Sequence, residues 1–189
     1  LASASTDNTA RLWRAGTLEP LGPPMRHPGY VWMVRFSPDG LTLLTAGFDG
    51  TARLWDAATS QPRGEPLRHD DMVQTAIFSP DGRTVASAGR DRTARLWDVN
   101  TGFQIGPKLR HGQAVASIAF RPGQPVLASV GLDRAVRFWR VPQVASGTPL
   151  ELRQRVQRLT GLELGPDSSL RPLSADAWLR LEPTSAPSP

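Results

Sequence analysis

Apolar runs and polar breaks alternate through the first 140 residues in a fixed order. The run Val31-Trp32-Met33-Val34-Arg35-Phe36 enters the break Ser37-Pro38-Asp39-Gly40, and a second run, Leu41-Thr42-Leu43-Leu44-Thr45-Ala46, follows. Proline presets φ at the second turn position and Asp-Gly tolerates what comes next, so the pattern predicts two strands about a tight turn. The break Gly47-Phe48-Asp49-Gly50 introduces a third strand ending at Trp55, and a weaker fourth is predicted near Arg63 to Arg68, after the loop Asp56 to Pro62. The same layout then recurs, with runs Val73 to Phe78, Thr84 to Ala88, Thr93 to Trp97 and Gln104 to Arg110 about the turn Ser79-Pro80-Asp81-Gly82. A third copy has Val115 to Phe120, the altered turn Arg121-Pro122-Gly123-Gln124, Val126 to Val130, and a strand ending at Trp139. The first two runs of each copy are nearly continuous in apolar character. That suits small sheets covered on both faces by neighbouring sheets.

The step between copies is 42 residues, carried by Trp13, Trp55, Trp97 and Trp139. Each closes a near-identical phrase: Asp-Asn-Thr-Ala-Arg-Leu-Trp (7–13), Asp-Gly-Thr-Ala-Arg-Leu-Trp (49–55), Asp-Arg-Thr-Ala-Arg-Leu-Trp (91–97) and Asp-Arg-Ala-Val-Arg-Phe-Trp (133–139). A constant period in this range marks a repeat architecture, whose units bury apolar faces only by stacking on copies of themselves. Function is therefore to be sought on a repeated surface.

The chain resembles the WD-repeat β-propeller family. The resemblance rests on Trp55-Asp56 and Trp97-Asp98, with Trp13-Arg14 and Trp139-Arg140 departing from the pattern. It also rests on Arg26-His27, Arg68-His69 and Arg110-His111, which stand where the family has Gly-His. It implies an all-β fold: a partial propeller of about 3.5 blades built from four-stranded antiparallel sheets, with a short C-terminal helical extension. Expected blade limits are 1–26 (partial), 27–68, 69–110 and 111–140, the last lacking its outer strand. They carry three, four, four and three strands. Such rings generally close with about seven blades, so the chain, which does not begin with Met, is expected to be the C-terminal part of a ring.

The resemblance also assigns a hydrogen-bond network to each blade. These are His27, Thr45, Asp49 and Trp55; His69, Ser87, Asp91 and Trp97; and His111, Ser129, Asp133 and Trp139, with Ser3, Asp7 and Trp13 in the opening half-repeat. The chemistry is coherent, because an indole N–H only donates, a hydroxyl donates and accepts, and imidazole bridges to a carboxylate. A hydrolytic Ser-His-Asp triad is the rival reading, but a triad copied into every repeat lacks the single cleft with oxyanion donors that hydrolysis needs. No second His or Cys stands at ligand spacing from any histidine, so no metal and no cofactor is expected.

Family members commonly bind partners on the face carrying the His loops and Asp turns. Residues that differ between copies there are the better specificity candidates: Tyr30, Trp32, Phe48, Met72, Gln74, Arg90, Gln113 and Leu132. Trp32 and Phe48 are the aromatic anchors; the competing expectation for Trp32 is packing between blades. Arg11, Arg53, Arg95 and Arg137 recur two residues before each Trp, and their stems are expected to pack while the guanidinium reaches solvent. Arg26, Arg68 and Arg110 offer an arc to acidic or phosphorylated partners, diluted by Asp70 and Asp71.

The formal charge of +5 arises from 22 basic and 17 acidic residues, and Lys108 is the only lysine. The arginines are spread through all the repeats, which favours a solvated surface over a nucleic-acid face. Cysteine is absent, which excludes disulfides and thiol nucleophiles without fixing the compartment; with neither a long apolar span nor a signal-peptide layout, a cytoplasmic protein is expected. After Trp139 the period stops. Residues 141–149 read as a linker and 150–183 as a helical extension, in which Leu152, Val156 and Leu159 share one helix face and Ser174 caps a second helix, Ala175 to Glu182; a disordered tail, 184–189, ends the chain. The phrase Leu159-Thr160-Gly161-Leu162-Glu163-Leu164, with Arg171-Pro172-Leu173 and Trp178, resembles the C-terminal extension of large bacterial proteins that fuse a serine/threonine protein kinase to WD repeats. No kinase motif lies within these 189 residues. The expected function is a non-catalytic scaffold that binds protein or peptide partners and stacks on further N-terminal blades of its own chain; the alternative is a basic propeller binding nucleic acid or phosphorylated ligands.

Overall fold

The computed structural model describes residues 1–142 and, beyond them, the backbone of 162–164 and 170–172. Four small antiparallel sheets follow one another along the first part. Sheet 1 holds β1 (Ala2–Ala4), β2 (Thr9–Leu12) and β3 (Met25–Arg26). Sheet 2 holds β4 (Val31–Phe36), β5 (Thr42–Gly47), β6 (Thr51–Asp56) and β7 (Leu67–Arg68). Sheet 3 holds β8 (Val73–Phe78), β9 (Thr84–Gly89), β10 (Thr93–Asp98) and β11 (Gln104–Arg110), and sheet 4 holds β12 (Val115–Phe120), β13 (Val126–Gly131) and β14 (Val136–Arg140). In each sheet the strands pair in chain order, as successive hairpins dictate.

The core lies between the sheets. Leu12, Met25, Leu43 and Trp55 fill the layer between sheets 1 and 2; Leu44, Leu54, Val85 and Trp97 fill the next; Ala86, Leu96, Ile118 and Leu127 fill the third. Alternation across the pleat explains the split: Leu43 and Thr45 face one neighbour while Leu44 and Ala46 face the other. All six residues of β5 and of β9 are buried, the continuous apolar pattern read from the sequence. In β14 the pattern of burial changes. Phe138 is 71% exposed, and Val130 and Val136 are exposed beside it, because no further sheet covers this face among the described residues.

The outer strand is shortened in sheets 1 and 2. β3 and β7 keep two residues each, preceded by isolated bridges Trp13–Pro20 and Trp55–Pro62, whereas β11 runs for seven residues with a break in register opposite Arg95. Between the first two strands, Gly40 and Gly82 close the Ser-Pro-Asp-Gly turns with φ of +74° and +70°. The altered turn of sheet 4 shifts the left-handed residue one place earlier, to Gly123 at φ +68°, the third position of a type II turn after Pro122.

Two further left-handed positions repeat every 42 residues and do not always hold glycine. Asn8, Gly50, Arg92 and Arg134 follow the turn aspartates, and Leu18, Ser60 and Gly102 close the loop after the third strand. Leu18 is the worst fitted of these, since a branched aliphatic side chain there has φ +57° and projects into solvent. Leu18→Gly is expected to stabilise the protein by about 0.5–1 kcal/mol, read as a raised urea midpoint, because the strain of a left-handed non-glycine residue is removed and no packing is lost.

Val141, placed at the start of a linker by the sequence pattern, is instead buried in the layer between sheets 3 and 4, and its N–H bonds to the Pro125 carbonyl at 2.8 Å. An apolar residue next to a completed strand gains more from that layer than from solvent. The helices expected over 152–161 and 175–182, like the tail at 184–189, lie outside the described residues. Between those two segments, β15 (Leu162–Leu164) pairs antiparallel with β16 (Leu170–Pro172), so this part of the expected helical extension is a short hairpin. Leu162-Glu163-Leu164 alternates with the period of a strand. This hairpin belongs to a separate compact unit, 144–189.

Candidate partner-binding face and the networks beneath it

Antiparallel pairing sets Thr45 opposite Arg53, Ser87 opposite Arg95 and Ser129 opposite Arg137, with the tryptophan two residues further along the same face. The hydroxyl therefore lies under the indole. Trp55 Nε1 donates to Thr45 Oγ1 at 2.8 Å, and Trp97 and Trp139 Nε1 donate to Ser87 and Ser129 Oγ at 2.7 Å. In all three sheets histidine Nε2 lies 2.7 Å from that hydroxyl. Its Nδ1 lies 3.1 Å from Asp49 and 2.9 Å from Asp91 in sheets 2 and 3. Because the indole only donates, the hydroxyl oxygen accepts from it and its O–H is directed at Nε2. Nδ1 then carries the proton given to the aspartate.

Sheet 4 departs from this arrangement. His111 Nδ1 is 3.4 Å from Asp133, and Arg137 Nη1 sits between them, 2.6 Å from Nδ1 and 2.7 Å from Asp133 Oδ2. The cause is one residue. Thr51 and Thr93 hold the Nε of Arg53 and Arg95 at 3.2 Å and bond to the turn aspartate, whereas Ala135 has no hydroxyl to do so. Unanchored, Arg137 donates to the imidazole. Nδ1 there is the acceptor, and the opposite tautomer of His111 follows.

The arginine before each tryptophan thus has a role the sequence pattern did not suggest. Arg95 is only 5% exposed; its guanidinium pairs with Asp91 at 2.6 Å and Asp70 at 2.8 Å and donates to the Arg68 carbonyl at 2.8 Å. Lys108 Nζ closes the same cluster on Asp70 at 2.7 Å. The expectation that the guanidinium reaches solvent is corrected for Arg95, because the carboxylate four residues earlier offers a partner that compensates burial; Arg53 and Arg137 make the same ion pair while partly exposed. The recurring Asp-x-Thr-Ala-Arg order was the signal. In the opening half-repeat Ser3 receives Trp13 Nε1 at 2.8 Å, but Asp7 bonds to Thr9 instead of joining them.

All three turn aspartates titrate below the ordinary carboxylate range. For Asp49 and Asp91 burial is the largest single influence and opposes ionisation, and the hydrogen bonds from His27 or His69 and from Thr51 or Thr93 together outweigh it. Asp133 is lowered first by the Gly112 N–H and then by Arg137. A carboxylate depressed in the folded state contributes stability that is fully present above its unfolded value, near 3.8, and is lost as pH falls through the folded value. The urea midpoint is accordingly expected to hold at pH 5 and to drop progressively below pH 4. Asp91→Asn should flatten that drop and lower the midpoint at neutral pH.

The loop face is built on these turns. Phe48, Arg90 and Leu132 occupy one position in successive blades, each N–H bonded to a backbone carbonyl at the start of its sheet: Tyr30 at 2.9 Å, Met72 at 3.0 Å and Ala114 at 2.8 Å. Phe48 sits between two other rings, 5.7 Å from Tyr30 and 6.1 Å from Trp32, both edge-on. Trp32 is 58% and Phe48 44% exposed, so Trp32 does not pack between blades. Arg90, Gln113 and Leu132 are exposed and Gln74 is half-buried. Met72 is a correction, being 4% exposed: its flexible apolar chain turns inward, and its N–H is taken by the Asp71 carboxylate at 2.6 Å. No group of side chains suited to a metal ion occurs among the described residues.

Antiparallel sheets of three and four strands stacked face to face, three of the four pinned by a histidine, a hydroxyl and an indole, define the blades of a repeat β-propeller. The chain matches the family described as WD domain, G-beta repeat over residues 20–56, 62–98 and 107–140, and it belongs to that family. Among solved structures it is similar to the computationally designed Ika4 protein, with 23% identity and a TM-score of 0.68 over 75% of this chain and 84% of that one. That likeness bears on the fold alone. No curated protein matches the chain.

Proposed function

We propose that the chain is a non-catalytic interaction module whose loop face binds a protein or peptide partner. One observation carries the reading: Tyr30, Trp32 and Phe48 form a three-ring cluster that is exposed although each ring has apolar area worth burying. Supporting it, the His, Asp and Ser groups that could serve hydrolysis lie beneath the face and are engaged with indole and guanidinium donors. The exposed apolar face of Val130, Val136 and Phe138 is covered, in this reading, by further blades of the same polypeptide.

The similarity of 159–164, 171–173 and Trp178 to extensions of kinase-linked WD-repeat proteins supports a role in directing a linked serine/threonine kinase to its substrates. Affinity capture with the full-length protein tests the face. The triple variant Trp32→Ala, Phe48→Ala, Arg90→Ala should lose partner recovery at least tenfold while melting within a few degrees of the wild type. Unchanged recovery removes this face from consideration. Recovery of nucleic acid that collapses with salt favours the basic-propeller alternative.

A further inference from the structure

Among the positions where the copies disagree, one series is ordered. Phe48, Arg90 and Leu132 hold equivalent places on three adjacent blades, fixed by the same hydrogen bond to the start of the sheet. Packed sheets lie about 10 Å apart, so the face presents an aromatic ring, a guanidinium and an aliphatic side chain in a row at about that pitch. The guanidinium is without an ion-pair partner among the described residues, while Arg53, Arg95 and Arg137, which point into the blades, all have one.

An extended β-strand does not match this row. At about 3.3 Å per residue it needs three residues per blade, and alternation turns every third residue to the opposite side. A polyproline II segment does match, since it has three residues per turn and a rise of about 3.1 Å, and returns to the same side every 9 Å or so. Surfaces lined by aromatic side chains are also where such segments dock. The charge in the middle selects the residue that meets it. Asp71 is exposed on the neighbouring loop, so an anion at Arg90 meets one exposed carboxylate there, while Asp70 is committed to Arg95 and Lys108. That suits one carboxylate better than a doubly charged phosphate.

We infer that the partner segment is an acidic polyproline II stretch, with an apolar or proline residue against the Tyr30–Trp32–Phe48 cluster, an Asp or Glu three residues on against Arg90, and an apolar residue three further against Leu132. This deepens the proposed function and rests on it.

The test uses the full chain and fluorescently labelled proline-rich peptides followed by anisotropy. The reference peptide carries tryptophan, aspartate and leucine at positions 2, 5 and 8 of ten, the rest proline. It should bind saturably, and moving the aspartate to position 6 or replacing it with lysine should weaken binding about tenfold. Arg90→Glu should reverse the preference between the aspartate and lysine peptides. Equal binding of the shifted peptide, no response to Arg90→Glu, or a phosphoserine peptide preferred over aspartate would each overturn the inference. If the peptides fail while a captured partner still depends on Trp32 and Phe48, the acidic spacing is wrong and the face stands. If neither depends on those residues, the face itself is wrong.

Discussion

Ser87→Ala is expected to lower the stability of the chain by about 2–6 kcal/mol, because the Ser87 hydroxyl serves two buried groups at once. Trp97 Nε1 and His69 Nε2 both lie 2.7 Å from it, and the serine has no measurable exposure. Removing the oxygen strands a donor and an acceptor in a layer of Leu44, Leu54 and Val85, at about 1–3 kcal/mol for each. Urea unfolding monitored by tryptophan fluorescence reads the change directly. Ser87→Thr should retain most of the lost stability, since Thr45 fills the equivalent place in sheet 2. Ser3→Ala should cost below about 1 kcal/mol, because that hydroxyl is exposed and has no histidine above it. A drop as large at Ser3 as at Ser87 would contradict the claim that burial and shared bonding give the network its weight.

Gly89→Ala is the second large effect, with an expected loss of roughly 3 kcal/mol. A Cβ at this position would overlap the Met72 carbonyl oxygen, which is backbone and also accepts the Arg90 N–H at 3.0 Å. Relief requires the hairpin end to move away from the start of its own sheet. The damage should therefore reach function as well: Arg90 would be displaced, and partner binding should weaken beyond what the fall in stability explains. Gly47 meets the Tyr30 carbonyl in the same way, which makes Gly47→Ala an independent check through Phe48. The left-handed glycines Gly40 and Gly64 have open space around the same added atom, so any cost there comes from backbone conformation alone.

Period and turn chemistry made much of this molecule legible in advance. The strands of sheets 2 and 3 fall on the apolar runs because residues buried on both faces leave an uninterrupted pattern, and Pro-Asp-Gly fixes where each run must stop. The resemblance to WD repeats, carried from copy to copy on the 42-residue register, brought each histidine, hydroxyl, carboxylate and indole into consideration together, and antiparallel pairing converts that equal spacing into equal geometry.

What escaped the sequence depended on non-local electrostatics or on single substitutions. The partner four residues before Arg95 is written in the repeat, but its second carboxylate, Asp70, lies 25 residues away in the chain, where no spacing rule connects it to the arginine. The changed hydrogen bonding of His111 follows from Ala135 replacing a threonine whose part in holding the arginine is visible only in three dimensions. Met72 differs between copies, which predicts a surface residue, yet variation also arises where a flexible side chain fills a local gap. The hairpin of 162–164 and 170–172 was missed because three residues are too few for alternation to compete with a helical pattern on either side.

The most direct test of the account is hydrogen exchange on the full-length protein with and without its captured partner. Binding at the loop face predicts slowed exchange at 28–32, 47–50, 70–74, 89–92 and 131–134, with the opposite turns at 37–41, 79–83 and 121–125 unchanged. Protection confined to those opposite turns, or to the outer strands β7 and β11, would contradict it.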